Sequence, residues 1–223
     1  MINEILQHLK EFEPEYEVKL PLSEKLVSYK PFKIKDQKTL ALVVQEKHIG
    51  TTLKKICEIV NNCSSEKHSE NLQLCDLEYL FLAIRSKSVD EKIELIVGSE
   101  PPTKVAMNIE NIILKQGSNK KNIFLNQNTY IELEAPKVKD YFEMSDLDSD
   151  LIASSVIKAL VIDKKCYDLT LTKPKEIEKI LNELSITNYK AINEFVKQIP
   201  TLTYTIDLQP EPIIVEGFLR FFT

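Results

Sequence analysis

Apolar residues recur at helical spacing along much of the first ninety residues. This pattern predicts a short amphipathic helix over residues 2–12, ended by Glu13-Pro14-Glu15. Two further helices are predicted at about 35–47 and 51–61. Between the first helix and the second, residues 17–29 alternate between apolar and polar positions, which is typical of a β-hairpin.

The densest apolar run of the chain covers residues 76–89 and predicts a buried central helix over 76–86. Asp76 is a good candidate for the helix N-cap, because a carboxylate can accept hydrogen bonds from free backbone N–H groups of the first turn. One of the two arginines of the chain, Arg85, lies inside this helix. We expect it to pair with a carboxylate or to cap backbone carbonyls.

From about residue 91 the apolar period changes from 3.6 to 2. Strands are therefore expected at 92–97, 104–109, 122–125 and 129–134, which together would form a small antiparallel region.

Helical spacing returns after the acidic segment 139–150. It predicts a helix at about 149–160, and two more follow at about 172–184 and 186–198. A turn at 163–165 separates two short apolar runs. Alternating residues at 202–208 and 213–215 then predict a C-terminal hairpin.

The order of these elements predicts an α+β fold, because helices and strands are segregated along the chain instead of alternating. It has a helix-rich N-terminal half with a small antiparallel β region, followed by helices and a C-terminal β-hairpin. Three units are expected at 1–90, 91–145 and 146–223, with a single compact domain as the alternative.

Composition narrows the classes of function. The 223 residues carry a net charge of −5, which argues against nucleic acid as the main partner. Only four glycines are present and they stand alone, so no phosphate-binding loop is predicted. No apolar run approaches a membrane span, and residues 1–10 do not resemble a signal peptide, so we expect the protein to fold in a cytoplasm.

The cysteines raise one alternative, a small metal-binding adaptor. Cys57, Cys63, His68 and Cys75 could be written as a zinc site, but their spacing is irregular and no Cys-x-x-Cys pair is present. Cys57 also shares an apolar helical face with its neighbours, where a buried thiol is common.

Signals for catalysis are weak. No His-x-x-x-His pair and no glycine-flanked nucleophile is present, so neither an enzyme activity nor a cofactor is predicted. Asp146, Asp148 and Asp150 imitate the start of a calcium loop. The glycine and glutamate that such a loop requires are replaced by Leu151 and Ile157.

Three phenylalanines lie in the last segment, Gly217–Thr223: Phe218, Phe221 and Phe222. Exposed together they would form a sticky patch, so they either dock on the protein's own core or bind a partner protein.

Several segments together resemble one family, the T4-like bacteriophage baseplate hub proteins. The longest match is Asp76-Leu-Glu-Tyr-Leu-Phe-Leu-Ala-Ile-Arg-Ser-Lys-Ser-Val, and the segment from Leu20 to Lys38 resembles the opening of the family pattern. Gln198-Ile-Pro-Thr-Leu and the closing segment from Val215 to Phe222 resemble its end. The resemblance covers about residues 18–223.

The sequence also departs from the pattern. Members often carry Cys-x-x-Cys pairs after the central motif and near the C-terminal hairpin, whereas these turns here read Gly98-Ser-Glu-Pro-Pro and Gln209-Pro-Glu-Pro. A zinc ribbon of the family therefore does not carry over. Asp90 also replaces the usual glycine after Ser-Val.

The resemblance implies a non-enzymatic role in assembling the central hub of a phage tail baseplate. Members are described either as hub subunits or as assembly chaperones, and both alternatives stay open here. The implied partners are other baseplate hub proteins, with neither nucleic acid nor membrane; whether the protein forms a homo-oligomer stays open. The implied locations are the host cytoplasm during assembly and the virion tail.

Overall fold

The computed structural model describes residues 12–43, 48–88, 93–97, 103–146, 148–207 and 212–216, together with residues 2, 3, 5 and 8. These last four are helical, and the rest of the predicted helix 2–12, apart from Phe12, lies outside the described residues.

The predicted first hairpin is confirmed. Strand β1 (Tyr16–Lys19) pairs antiparallel with β2 (Leu26–Tyr29), and Val18 faces Val27 across the pair. Strand β2 is also held from its other side, because the backbone N–H of Ser65 donates to the Ser28 carbonyl at 2.8 Å.

Three helices follow, and they correspond to the helices predicted in this region. They are α1 (Ile34–Val43), α2 (Ile49–Cys63) and α3 (Leu74–Ser88). Helix α2 begins after His48, whose side chain accepts a hydrogen bond from the backbone N–H of Thr51. Helix α3 is the predicted central helix, and it starts two residues earlier than expected.

The predicted role of Asp76 as the N-cap of this helix is wrong, because Asp76 lies inside the first turn of α3. Its carboxylate instead accepts hydrogen bonds from the backbone N–H groups of Leu22 at 2.9 Å and Ser23 at 3.0 Å. Asp76 therefore ties the central helix to the turn of the first hairpin, a partner more than fifty residues away in sequence.

The next strands form two small sheets. The hairpin of β3 (Ile93–Val97) and β4 (Thr103–Met107) agrees with the prediction. Strand β5 (Ile113–Lys115) was not predicted. It pairs with one side of β10 (Thr201–Ile206), and β11 (Ile213–Glu216) pairs with the other side, so the predicted C-terminal hairpin is confirmed as part of a three-stranded sheet.

A four-stranded antiparallel sheet forms the second half of the molecule. Its strands, in spatial and chain order, are β6 (Lys120–Asn126), β7 (Thr129–Glu134), β8 (Ile157–Ile162) and β9 (Lys165–Asp168). The strands predicted near 122–125 and 129–134 are confirmed as β6 and β7.

The helix predicted at 149–160 is only half right. Helix α4 (Ser149–Val156) ends at Val156, and the chain continues directly into strand β8. Along this strand Ala159 and Val161 lie on one face, and Leu160 between them packs on the other face in the third cluster, so the period of 2 prevails over the helical one once the strand finds β7 as its partner. Helices α5 (Pro174–Asn182) and α6 (Ile186–Lys197) agree with the prediction.

The buried apolar residues form three clusters. The first gathers around α2 and α3 and includes Phe81, and residues 138–144 return to it through Val138, Tyr141 and Met144. The third lies between the four-stranded sheet and helices α4 to α6.

The second cluster joins distant parts of the chain, because Cys75 and Leu82 of α3 pack with Leu202 and Tyr204 of β10. The architecture is α+β, as predicted. The division into three units stays a prediction. No helix within the described ranges is long and apolar enough to cross a bilayer.

Candidate interaction surface

The cysteines of the first half are core residues. Cys57, Cys63 and Cys75 are all buried. Burial raises the pKa of Cys57 to about 11 and the pKa values of Cys63 and Cys75 to about 12. All three are therefore neutral thiols at pH 7 in this fold, as expected for cysteines that pack in an apolar core.

The residues of the predicted alternative zinc site are not brought together. His68 is exposed and its Nδ1 lies 3.3 Å from Oε1 of Glu70, whereas the thiol of Cys63 points to Asp36 at 3.8 Å. Cys57 and Cys75 belong to different apolar clusters. Among the described residues, no group of three or more His, Cys, Asp or Glu side chains could hold a metal ion.

The acidic segment before α4 caps that helix. Oδ1 of Asp148 accepts hydrogen bonds from the backbone N–H groups of Asp150 at 2.8 Å and Leu151 at 3.3 Å. This agrees with the preference of carboxylates for a helix N-terminus.

The polar loop after α2 is partly buried. The Glu66 carboxylate accepts hydrogen bonds from Lys25 Nζ and, at 3.0 Å, from the backbone N–H of His68. Burial alone would raise the pKa of Glu66, but these hydrogen bonds lower it below its usual value. The loop thus ties the first hairpin to the helices, and its charged groups have a structural role.

Besides Asp76, the central helix carries two ionisable groups that are buried or half-buried. Glu78 is 2 % exposed and its Oε1 has no hydrogen-bond partner, and burial raises its pKa well above the usual value. Arg85 is half-buried, and burial lowers its pKa. The predicted pairing of Arg85 with a carboxylate or with carbonyls stays a prediction. Both groups belong to the body of the fold.

The four-stranded sheet presents a different kind of surface. Its inner face packs on α4 to α6, and its outer face carries a row of side chains that crosses all four strands. In this row Phe124 faces Tyr130, Tyr130 faces Val161, and Val161 faces Cys166. The rings of Phe124 and Tyr130 are 5.3 Å apart, and Phe124 is 64 % exposed.

This row lines an open groove of about 570 Å³. The turn residues Gln127, Asn128, Asp163 and Lys164 close one end of it, and Glu132 adds a carboxylate. The two turns are joined, because the backbone N–H of Asp163 donates to the Asn128 carbonyl at 3.0 Å. We name the row and this groove the outer sheet surface.

Other large apolar side chains are exposed elsewhere in the described residues. They include Phe12, Leu26, Ile34, Ile113, Leu171, Ile186 and Ile214. The predicted partner-binding residues Phe218, Phe221 and Phe222 lie outside the described residues. Exposed aromatic and aliphatic groups beside a polar rim are typical of surfaces that contact other proteins.

Residues 13–223 match the model of the family described as T4 bacteriophage base plate protein, and the chain belongs to this family. The comparison with curated proteins found no match, and the comparison with solved structures found none either. Membership implies association with the virion tail and contacts with other baseplate proteins.

Proposed function

We propose that the protein acts, without enzyme activity, in assembly of the central baseplate hub through contacts with other hub proteins, either as a hub subunit or as an assembly chaperone. The family match over residues 13–223 carries this proposal, since it places the chain among phage baseplate proteins. The motif of the central helix, which resembles hub proteins, supports the finer assignment.

The outer sheet surface is our first candidate for these contacts. Interface hot spots are enriched in aromatic residues, and the neighbouring rings of Phe124 and Tyr130 both line this groove. Phe218, Phe221 and Phe222 are the second candidate anchors, on the strength of their sequence alone.

No cofactor is part of this proposal. The cysteines of the first half are buried as neutral thiols, and the carboxylates Asp36, Glu66 and Asp76 all accept hydrogen bonds within the fold. The net charge of −5 gives no support to binding of nucleic acid.

Mass spectrometry of purified phage particles tests the proposal and separates its two forms. A phage whose gene for this protein is inactivated is complemented with the intact gene, and tails are counted with and without it. A few copies per particle would identify a hub subunit, whereas absence from particles together with a requirement for tail assembly would identify a chaperone. Normal tails without the protein would contradict both.

The role of the three phenylalanines has its own test. We expect the triple change of Phe218, Phe221 and Phe222 to alanine to abolish tail assembly while leaving the melting temperature of the isolated protein unchanged. Replacement of the exposed Gln37 by alanine serves as the control for expression and handling. A large loss of thermal stability in the triple variant would show instead that these side chains belong to the core.

A further inference from the structure

The last strand of the four-stranded sheet leaves one edge unpaired. Strand β9 pairs with β8 on one side and with no other strand among the described residues, and all four of its residues are exposed. A free edge presents backbone N–H and C=O groups that can pair with another chain.

The hairpin turn determines which groups face this edge. Asp163 and Lys164 both have positive φ, 47° and 69°, as in the two-residue turns that join antiparallel strands. In such a hairpin the flanking pair, Ile162 and Lys165, is the hydrogen-bonded one. The next pair, Val161 and Cys166, is therefore not hydrogen-bonded to each other, and the backbone N–H and C=O of Cys166 point to the free edge.

The same alternation applies further along the strand. Leu169 N–H donates to the Lys158 carbonyl at 2.8 Å, which is the hydrogen-bonded position expected from the turn. Asp168 lies between the hydrogen-bonded positions, so its backbone groups also face outward. Strand β9 thus offers donors and acceptors at Cys166 and Asp168.

The sequence of this edge is complementary to itself. If two copies pair antiparallel about a twofold axis perpendicular to the sheet, residues that face each other must point to the same side. Among the registers that this condition allows, two give the largest overlap of β9 with its copy, one centred on Cys166 and one centred on Tyr167. The register centred on Cys166 places Lys164 of each copy opposite Asp168 of the other copy, so this pair of opposite charges occurs twice.

The second register gives no such match, since it places Cys166 opposite Asp168 and leaves Lys165 opposite Leu169. In the first register Lys165 lies opposite Tyr167 of the second copy. In the structure Lys165 Nζ already lies 4.7 Å from the ring centroid of its own Tyr167, so the two side chains are suited to a cation–π contact. The first register therefore pairs opposite charges on one face and a cation with an aromatic ring on the other.

We propose that the protein self-associates through the free edge of β9, so that two four-stranded sheets join into one continuous eight-stranded sheet with Cys166 at the twofold axis. The row of Phe124, Tyr130, Val161 and Cys166 then continues across the axis into the second copy. This inference does not depend on the role in the baseplate.

Sedimentation equilibrium of the full chain, with a reductant present, tests self-association directly. We expect the mass to rise from 25.7 kDa toward twice that value as the concentration increases from about 10 μM to about 1 mM, because an edge of this size gives a small interface. A monomer at every concentration would overturn the proposal. This result would also be obtained if the edge of β9 pairs only with a strand of a different protein.

Two variants locate the contact. Cys166→Pro removes an N–H that faces the edge and leaves the donors of the β8–β9 ladder in place, so it should abolish the dimer. Cys166→Ser keeps this N–H and should retain the dimer. A dimer that survives Cys166→Pro would assign self-association to another surface and overturn the proposal.

Lys164→Glu tests the register without changing the strand itself, because Lys164 lies in the turn. It places a carboxylate opposite Asp168 of the second copy, and we expect dimerisation to weaken by about tenfold at low salt. The loss should shrink at high salt, which screens the repulsion, and Lys164→Gln should show a smaller loss. Equal dimerisation of Lys164→Glu and the unaltered protein would contradict the register.

Discussion

Phe81 in the first cluster and Phe124 on the outer sheet surface are the same type of residue in opposite environments. Phe81 is 1 % exposed and its ring centroid lies 5.4 Å from that of Phe32, whereas Phe124 is 64 % exposed. Around the first cluster even the carboxylates are turned inward: Asp36, Glu66 and Asp76 are buried, and each accepts a backbone hydrogen bond. This region holds the fold together, whereas the outer sheet surface is the region that we propose to contact a partner.

The largest effect is expected in the first cluster. Phe81→Ala removes a fully buried ring, so we expect it to lower the free energy of unfolding by about 3–5 kcal/mol. Urea unfolding followed by circular dichroism measures this loss. A loss below about 1 kcal/mol would mean that the cluster relaxes around the missing ring and is not the tightly packed body described above.

Asp76 tests whether polar groups also hold this region. Asp76→Ala leaves two backbone N–H groups, of Leu22 and Ser23, without their charged acceptor, and we expect a loss of about 3 kcal/mol. Asp76→Asn is the matched control, because its amide oxygen can still accept one of the two hydrogen bonds. Equal unfolding free energies for the Ala and Asn variants would contradict the role of the Asp76 carboxylate as the acceptor for both N–H groups.

Glu78 is expected to give a smaller effect that depends on pH. Burial raises the pKa of the Glu78 carboxyl, so the folded state favours its protonated form. Glu78 therefore destabilises the folded state least below the pKa that it has in the unfolded chain, where it is protonated in both states. This destabilisation grows as the pH rises toward the higher pKa of the folded state. Glu78→Gln cannot ionise, and it should therefore melt at a higher temperature than the unaltered protein at pH 8.

Thermal melts from pH 4 to pH 8 measure the difference between these two proteins. The gap in melting temperature should close by pH 4, where Glu78 is protonated in the folded and the unfolded states. A gap of the same size at pH 4 and pH 8 would show that the change acts through packing and not through the charge.

Much of the fold could be predicted from the sequence, because many of its helices and strands have a local pattern of apolar residues. The first hairpin, the central helix and the C-terminal hairpin all follow from apolar periodicity. The start of β8 could not be predicted, since Val156 and Leu160 continue the helical spacing of α4, and only pairing with β7 selects the strand. Strand β5 has three residues, and its partner β10 lies almost ninety residues away.

The candidate surface was harder to predict than the fold. Asp76 precedes an apolar run, as an N-cap does, and nothing local indicates its bonds to Leu22 and Ser23. The row from Phe124 to Cys166 is spread over four strands, so its members meet only through the registers of three strand pairs. A single aromatic residue in a strand gives no signal of this kind.

The comparison between the two regions can be tested in infection. Phe124→Lys places a charge on the edge strand β6 of the four-stranded sheet, where Phe124 is 64 % exposed. Leu26→Glu places a charge on strand β2 of the first hairpin, where Leu26 is 61 % exposed. Each new charge has an opposite charge near it, Glu132 in the groove and Lys19 across the hairpin. Both variants should melt close to the unaltered protein.

The measurement that decides is the titre of a phage lacking this gene when it is complemented by each variant. We expect Phe124→Lys to lower the titre by at least about tenfold, because it places a charge within the proposed interface, and Leu26→Glu to leave the titre unchanged. A normal titre with Phe124→Lys, or equal losses with both variants, would contradict the assignment of baseplate contacts to the outer sheet surface.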